Sequence, residues 1–254
     1  LYQFNLVVGI LIAFLSNYLL SGLGENDWRY MMGIEALPAL LYTVLVLSIP
    51  KSPRWLYLNN QQAEAEKIIR DAYSENDADE LIREIIKDKE SSVKSESIFQ
   101  KKYSFILMLA FLVAAFNQFS GINAFLYYAP RIFELGGLGQ SAALLSSVGI
   151  GLTNVIFTFI GISLIDKLGR KILMYIGSIG YIISLTLISL SFILDWGGIA
   201  LPIFLFLFIA SHAIGQGAII WVYISEIFPN HIRSYGQSFG VSTHWVLAAI
   251  IQSF

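Results

Sequence analysis

The chain alternates long apolar stretches with short polar breaks. Seven runs reach the roughly 20 mostly apolar residues that a helix needs to cross a bilayer: Leu1–Ser21, Trp28–Ile49, Tyr103–Arg131, Ser141–Ile165, Ile172–Leu194, Ile199–Phe228 and Ser234–Phe254. Turn signals stand between them, at Gly22-Leu23-Gly24, Gly136-Gly137-Leu138-Gly139, Lys167-Leu168-Gly169 and Trp196-Gly197-Gly198. One polar segment, Lys51–Lys102, interrupts the series. Within it, Gln61–Tyr73 carries Ala65, Ile68, Ile69 and Ala72 at helical spacing, and Asp77–Lys89 carries Leu81, Ile82, Ile85 and Ile86 likewise. The pattern predicts an all-α membrane protein with about seven transmembrane helices and two short amphipathic helices between the second and third. Helices this short need a packing partner. They are either part of a solvated linker or struts that brace the ends of the spanning helices.

Composition sharpens this picture. Of 254 residues, 56% are apolar and 13% charged, against about 25% charged in an ordinary soluble chain. Lys51–Lys102 holds 10 basic and 11 acidic residues, and the other 202 positions share only 13 charges. So few charges cannot solvate a surface, and the lipid bilayer is the expected surrounding. A net charge of −2 excludes the basic footprint of a nucleic-acid binder. There is no cysteine, and the three histidines have no metal-ligand spacing, so neither a metal nor another cofactor is expected. Both ends, Leu1 and Phe254, fall inside apolar runs and no signal peptide is visible, as expected for a fragment of a longer chain.

Basic residues set the orientation. The connections after the second, fourth and sixth helices carry ten, three (Lys167, Arg170, Lys171) and one (Arg233), whereas the opposite side holds only Arg29 and Arg131. The polar segment is therefore expected in the cytoplasm.

Two spanning segments contain helix-weakening glycines in their middles, Ser120-Gly121 in the third and Gly215-Gln216-Gly217 in the sixth. Irregular backbone at membrane depth is tolerated where it is buried or lines a cavity, and interrupted helices mark transporter binding sites. Close helix packing through small residues is the other explanation. The company of these glycines favours a site. Asn117, Gln118 and Asn123 surround the first break, Trp221 follows the second, and Gln3, Asn154, His244 and Trp245 lie on other helices. Amides offer both donors and acceptors, as a polyol does, and an indole supplies a flat wall for a pyranose. Such a cleft, apolar with a few placed polar groups, suits a small ligand.

These residues also carry a resemblance. Pro50-Lys51-Ser52-Pro53-Arg54-Trp55-Leu56, Asn117-Gln118-Phe119-Ser120-Gly121-Ile122-Asn123 with Tyr127-Tyr128, Asp166-Lys167-Leu168-Gly169-Arg170-Lys171, and Trp221 through Glu226-Ile227-Phe228-Pro229 to Arg233 follow in order. The chain resembles the sugar porter family of the major facilitator superfamily over essentially its whole length. That resemblance implies family helices five to eleven of a major-facilitator-type bundle. Residues 1–49 would be the last two helices of the N-terminal bundle, 50–102 a cytoplasmic linker, and 103–254 most of the C-terminal bundle. It implies sugar contacts for Gln3, Asn117, Gln118, Asn123, Tyr127, Asn154, Trp221, His244 and Trp245, and places His212 facing the cavity. The family's proline-containing run reads Gly217-Ala218-Ile219-Ile220 here, so the helix is expected to bend differently.

Two further groups carry chemistry. Asp166, Arg170, Lys171, Glu226 and Arg233 fall at one membrane level, where arginine–carboxylate pairing could tie helix ends together; in the family this cluster resembles a cytoplasmic gate. Glu35 stands seven residues into the second helix, while every other carboxylate lies in a loop or at a helix end. Intramembrane ionisable residues are functional candidates by default, and proton-coupled sugar porters carry a carboxylate at this place. The implied activity is transport of a monosaccharide, pentose or hexose, with a proton as the second partner, across a bacterial inner membrane. An uncoupled facilitator is the alternative in the same class, and a sugar-sensing receptor the alternative in another. An enzyme is not expected, because no nucleophile–base pair is present.

Overall fold

A computed structural model describes residues 2–92, 97–196 and 200–253. Leu1, Gly197, Gly198, Ile199 and Phe254, which bound the predicted spans and one predicted turn, lie outside the described residues. Every regular element among the described residues is helical. The first span is α1 (Tyr2–Leu20), and the second is divided into α2 (Asp27–Ile34) and α3 (Ala36–Val46). Pro38 explains the division: it has no N–H to give the Ile34 carbonyl, and the ladder resumes where Ala39 N–H donates to the Glu35 carbonyl at 3.4 Å.

The polar segment forms three helices rather than two: α4 (Pro53–Leu58), α5 (Gln62–Ala72) and α6 (Glu75–Ser92). Pro53 opens α4, where its fixed φ suits a first turn and its missing N–H costs nothing. Leu56, Tyr57, Ala65, Ile69, Ala78 and Ile85 form a common core, so each short helix finds its packing partner in the other two. Ala72 and Ile86, expected on the apolar faces, are exposed instead. Tyr57 is buried and donates to Glu66 Oε1 at 2.9 Å. Burial first, and the facing carboxylate second, push its phenol up to about 12.

The third span is cut twice, into α7 (Ser104–Phe119), α8 (Ile122–Tyr127) and α9 (Ala129–Leu135). The first cut is the one expected at Gly121. The second belongs to Pro130, which has no N–H for the Leu126 carbonyl and sits in the first turn of α9. Next come α10 (Gln140–Leu168) and α11 (Arg170–Ile193), separated by Gly169 alone, whose φ of +79° turns the chain. The predicted Lys167-Leu168-Gly169 turn is thus shorter than expected, because Lys167 and Leu168 continue α10. The sixth span is α12 (Ala200–His212) and α13 (Ala218–Ile227), joined without a gap by a π-turn over Ala213–Gly217. Gly215-Gln216-Gly217 therefore widens the helix and does not break it. The last helix is α14 (Arg233–Gln252).

Six segments among the described residues are long and apolar enough to cross a membrane. The seventh predicted, α14, has the length at 20 residues, but Gln237, Ser238, Ser242, Thr243 and His244 make it too polar to count on composition.

Small residues let the helices meet. A Cβ on Gly151 of α10 would stand 2.9 Å from Leu11 Cα of α1, and one on Gly215 in the π-turn 2.6 Å from Gly177 Cα of α11. One apolar core joins Ile122, Leu126, Phe133, Ile150, Leu205 and Phe208 across α8, α9, α10 and α12. Another joins Ala110 and Ala114 of α7 to Ile220 and Ile224 of α13. Neither α2 nor α3 buries a residue. Leu37, Leu40, Leu41 and Val44 on α3, with Leu47 at its end, are all exposed, an apolar face of the kind that meets lipid or further protein.

Candidate functional site

A cavity of about 760 Å³ opens between α1, α7, α8, α10, α12, α13 and α14. On α1 its lining is Gln3, Leu6, Ile10, Ala13, Phe14 and Asn17, one face of a helix read at three- and four-residue steps. At the first helix interruption, Gly121 takes the left-handed conformation (φ +79°) after Ser120 Oγ has donated to the Asn117 carbonyl at 2.6 Å. Gly121 N–H donates to the Gln118 carbonyl at 2.9 Å and closes α7, a glycine-ended cap. The chain restarts at once as α8. This junction turns Asn117 at the end of α7 and Asn123 and Tyr127 on α8 toward the same space. Asn154 reaches it from α10, Trp221 from α13, and His244 and Trp245 from α14.

Of the nine predicted sugar-contacting residues, eight line the cavity. Gln118 does not; it is buried behind the wall and spends both ends of its amide. Asn123 Nδ2 donates to Gln118 Oε1 at 3.1 Å, and Gln118 Nε2 lies 2.6 Å from His244 Nε2. A donated proton on that imidazole nitrogen leaves His244 its own proton at Nδ1. Trp221 meets the same imidazole edge-on at 4.9 Å, and Trp245 meets it edge-on at 5.2 Å. Thr158 donates to Asn154 Oδ1 at 3.4 Å. Asn17 and Gln237 also line the cavity, and the sequence reading passes over both. Asn17 lies fourteen positions from Gln3 and Gln237 seven from His244, each a near-whole number of helical turns, which is the signal that could have found them.

Buried polar atoms without a partner are uncommon and call for an explanation. Among the described residues these include Gln3 Oε1, Asn117 Nδ2 and His244 Nδ1. All three belong to residues of this one cavity. The wall on α7 and α14 thus has donors to offer, and α1 an acceptor.

His212 and Glu35 line the cavity as well. Tyr181 Oη on α11 is hydrogen-bonded to His212 Nδ1, and both residues are buried. Glu35, the predicted intramembrane carboxylate, is exposed on this chain and takes part in no ion pair among the described residues.

The predicted gate is only partly assembled. Arg170 Nη2 donates to Glu226 Oε1 at 2.7 Å, and Nη1 stands 3.9 Å from Asp166 Oδ1. Arg233 does not join them: its guanidinium is hydrogen-bonded to Asn230 Oδ1, three residues back across the turn into α14. Lys171 also stays apart, its ammonium 5.9 Å from the centre of the Tyr175 ring.

Comparison with known proteins gives this architecture its relatives. The whole chain, residues 1–254, matches the family described as Sugar (and other) transporter. It is 32% identical over 250 residues to the D-xylose-proton symporter of Escherichia coli K12, covering 96% of this chain and 51% of that protein. It is 36% identical over 250 residues to the glucose transporter GlcP of Staphylococcus epidermidis, covering 94% of this chain and 54% of the relative. Its fold superposes on the inward-open xylose transporter XylE of E. coli with a TM-score of 0.81 at 30% identity, over 98% of this chain and 53% of that one. The chain spans about half the length of the curated relatives it matches. It is a multi-pass protein of the bacterial cell membrane, and it belongs to the sugar transporter family of the major facilitator superfamily.

Proposed function

We propose that this chain is part of a transporter that carries a pentose or hexose across the bacterial cell membrane by alternating access, together with a proton. In this reading residues 1–49 complete an N-terminal bundle, 50–102 link the bundles on the cytoplasmic side, and 103–254 form most of the C-terminal bundle. The observation that supports it most is the set of orphaned polar atoms on Gln3, Asn117 and His244 around one cavity. An uncharged polyol accepts from the two donors and donates to the acceptor at the same time. Trp221 and Trp245 supply flat apolar walls. Asn123, Tyr127 and Asn154 complete the polar lining, and Gln118 sets the polarity of His244 from behind.

Glu35 carries the proton in this scheme, and the Arg170–Glu226 pair ties two helix ends on the cytoplasmic side. Alternating access needs only that such a tie differ in energy between two states. The test is uptake of radiolabelled D-xylose and D-glucose into vesicles containing the full-length protein, with and without an imposed pH gradient. Saturable uptake driven uphill by the gradient supports the reading, and uptake of neither sugar removes it. An uncoupled facilitator is the second reading, favoured by the exposure of Glu35. Its signature is sugar equilibration that the gradient leaves unchanged.

A further inference from the structure

Gln237 lines the cavity nearly two turns from His244 along α14, roughly 10 Å away. Its direction is set by helix packing. Gly236, Gly240, His244 and Ala248 recur every fourth position and are buried, so they form one seam of the helix. A Cβ on Gly236 would collide with the Phe228 ring, and one on Gly240 would stand 3.0 Å from Ile224 Cδ1. The close approach of α13 thus fixes the rotation of α14 about its own axis. Gln237 and Val241 each follow one of these glycines and face the cavity beside the seam.

The same contacts fix the depth of Gln237. Gly240 stands opposite Ile224 and Gly236 opposite Phe228, so Gln237 lies at the level of Glu226, where the pair with Arg170 forms. The turn that follows α13 carries Arg233 and belongs to the cytoplasmic side. Gln237 is therefore on the cytoplasmic side of the wall made by Trp221 and His244. Between the two levels, α13 and α14 offer the cavity only Ile224 and Val241, both apolar. The Gln237 side chain is exposed and takes part in no hydrogen bond among the described residues.

We propose that Gln237 is a second sugar contact, on the path between the central wall and the cytoplasm. The proposal rests on the reading of the cavity as a sugar site. A sugar leaving that wall gives up its partners there, and the apolar stretch at Ile224 and Val241 offers it none. An unpaired hydroxyl is costly away from water. The Gln237 amide supplies both a donor and an acceptor where the apolar stretch ends, so a hydroxyl is held before water takes it over. Because Gln237 lies on one side of the wall, its contribution belongs to sugar arriving from or leaving to the cytoplasm.

The test compares right-side-out and inside-out membrane vesicles containing the full-length protein. Uptake of labelled D-xylose and D-glucose is measured in each, without a pH gradient, for wild type, Gln237→Leu and Gln237→Asn. In Gln237→Leu the half-saturating sugar concentration should rise about fivefold in inside-out vesicles, the loss of one neutral hydrogen bond. It should stay at the wild-type value in right-side-out vesicles. Gln237→Asn, which keeps an amide on a shorter stem, should fall between wild type and Gln237→Leu. Unchanged values from both faces would leave Gln237 a solvated residue near a helix start and overturn the proposal. An equal rise from both faces would make its role structural and overturn it too. Wild-type vesicles that take up neither sugar overturn the sugar reading and the proposal together. Where Gln237→Leu does not reach the membrane, Gln237→Ala decides by the same one-sided rise or its absence.

Discussion

Arg170, the first residue of α11, and Glu226, near the end of α13, meet side chain to side chain at 2.7 Å across 56 positions of sequence. Both are partly exposed, and exposed ion pairs contribute only about 0.2–1 kcal/mol. The pair is therefore too weak to hold the fold, yet an energy of that size is enough to bias a two-state equilibrium. Arg170→Ala should change overall stability by less than about 1 kcal/mol while opening the cytoplasmic side. The chain has no native cysteine, so Ile224→Cys, a lining position two residues before Glu226 on the same helix, reports on access. Labelling there should rise severalfold in Arg170→Ala, rise equally in Glu226→Gln, and rise no further in the double variant. Unchanged labelling would show that the pair does not gate the cavity.

Trp221 should matter more to sugar affinity than any single amide. It offers wall area to the ligand and also supports His244 edge-on at 4.9 Å, so its loss removes a surface and loosens a donor. Each amide exchanges water contacts for sugar contacts and nets roughly 0.5–1.5 kcal/mol. Isothermal calorimetry should find binding nearly abolished in Trp221→Ala and weakened severalfold in Asn117→Ala and Asn123→Ala. Affinity retained in Trp221→Ala would take this indole out of the binding surface.

If Glu35 carries the proton as proposed, Glu35→Gln should separate coupling from binding. The amide keeps the shape of the side chain and removes its ability to carry a proton. Sugar exchange should continue at its native rate, while uphill accumulation under a pH gradient should be lost. Accumulation that persists would move coupling to another group.

Glycine contacts give a stability test independent of function. A Cβ on Gly177 would meet Gly215 Cα at 2.8 Å and the Ser211 carbonyl oxygen at 3.0 Å, backbone atoms that cannot step aside. Gly33 on α2 has nothing within 4 Å. Overpacking costs about 1–3 kcal/mol, whereas alanine in a helix gains about 0.5–1 kcal/mol over glycine. Gly177→Ala should therefore lower the thermal midpoint of the detergent-solubilised protein, and Gly33→Ala should leave it level or raise it.

How much of this is legible depends on which kind of signal each feature leaves. Long apolar runs announce themselves, so each of the seven is helical in the structure, with ends displaced by a few residues. Asn117, Asn123, Trp221 and His244 stand out because amides, indoles and imidazoles are conspicuous in apolar surroundings. Their convergence on one cavity follows from helix packing, which no local pattern records. Gln118 shows the limit: adjacent to Asn117, it faces away, and the positions of Asn123 and His244 decide what its amide does. Arg233 shows another. It lies close to Glu226 along the chain, yet Asn230 in its own turn is nearer and takes the guanidinium. The second cut in the third span and the extra helix α4 are both readable from prolines, Pro130 and Pro53.

The π-turn over Ala213–Gly217 has a consequence for register. Nine positions separate His212 from Trp221, and at about 100° per residue a regular α-helix would rotate about 900° between them, leaving the two on opposite sides. A π-turn takes one extra residue into its rotation. About 100° is thereby absorbed, roughly 80° remains, and both side chains reach the cavity. The turn works as a phase shifter between the two halves of the helix. Removing one residue from it, with closure to ordinary α geometry, would preserve the phase. Adding one residue, or straightening the turn with every residue kept, would swing Trp221 out toward lipid. This stretch should therefore tolerate a single deletion better than a single insertion, an asymmetry opposite to that of a surface loop.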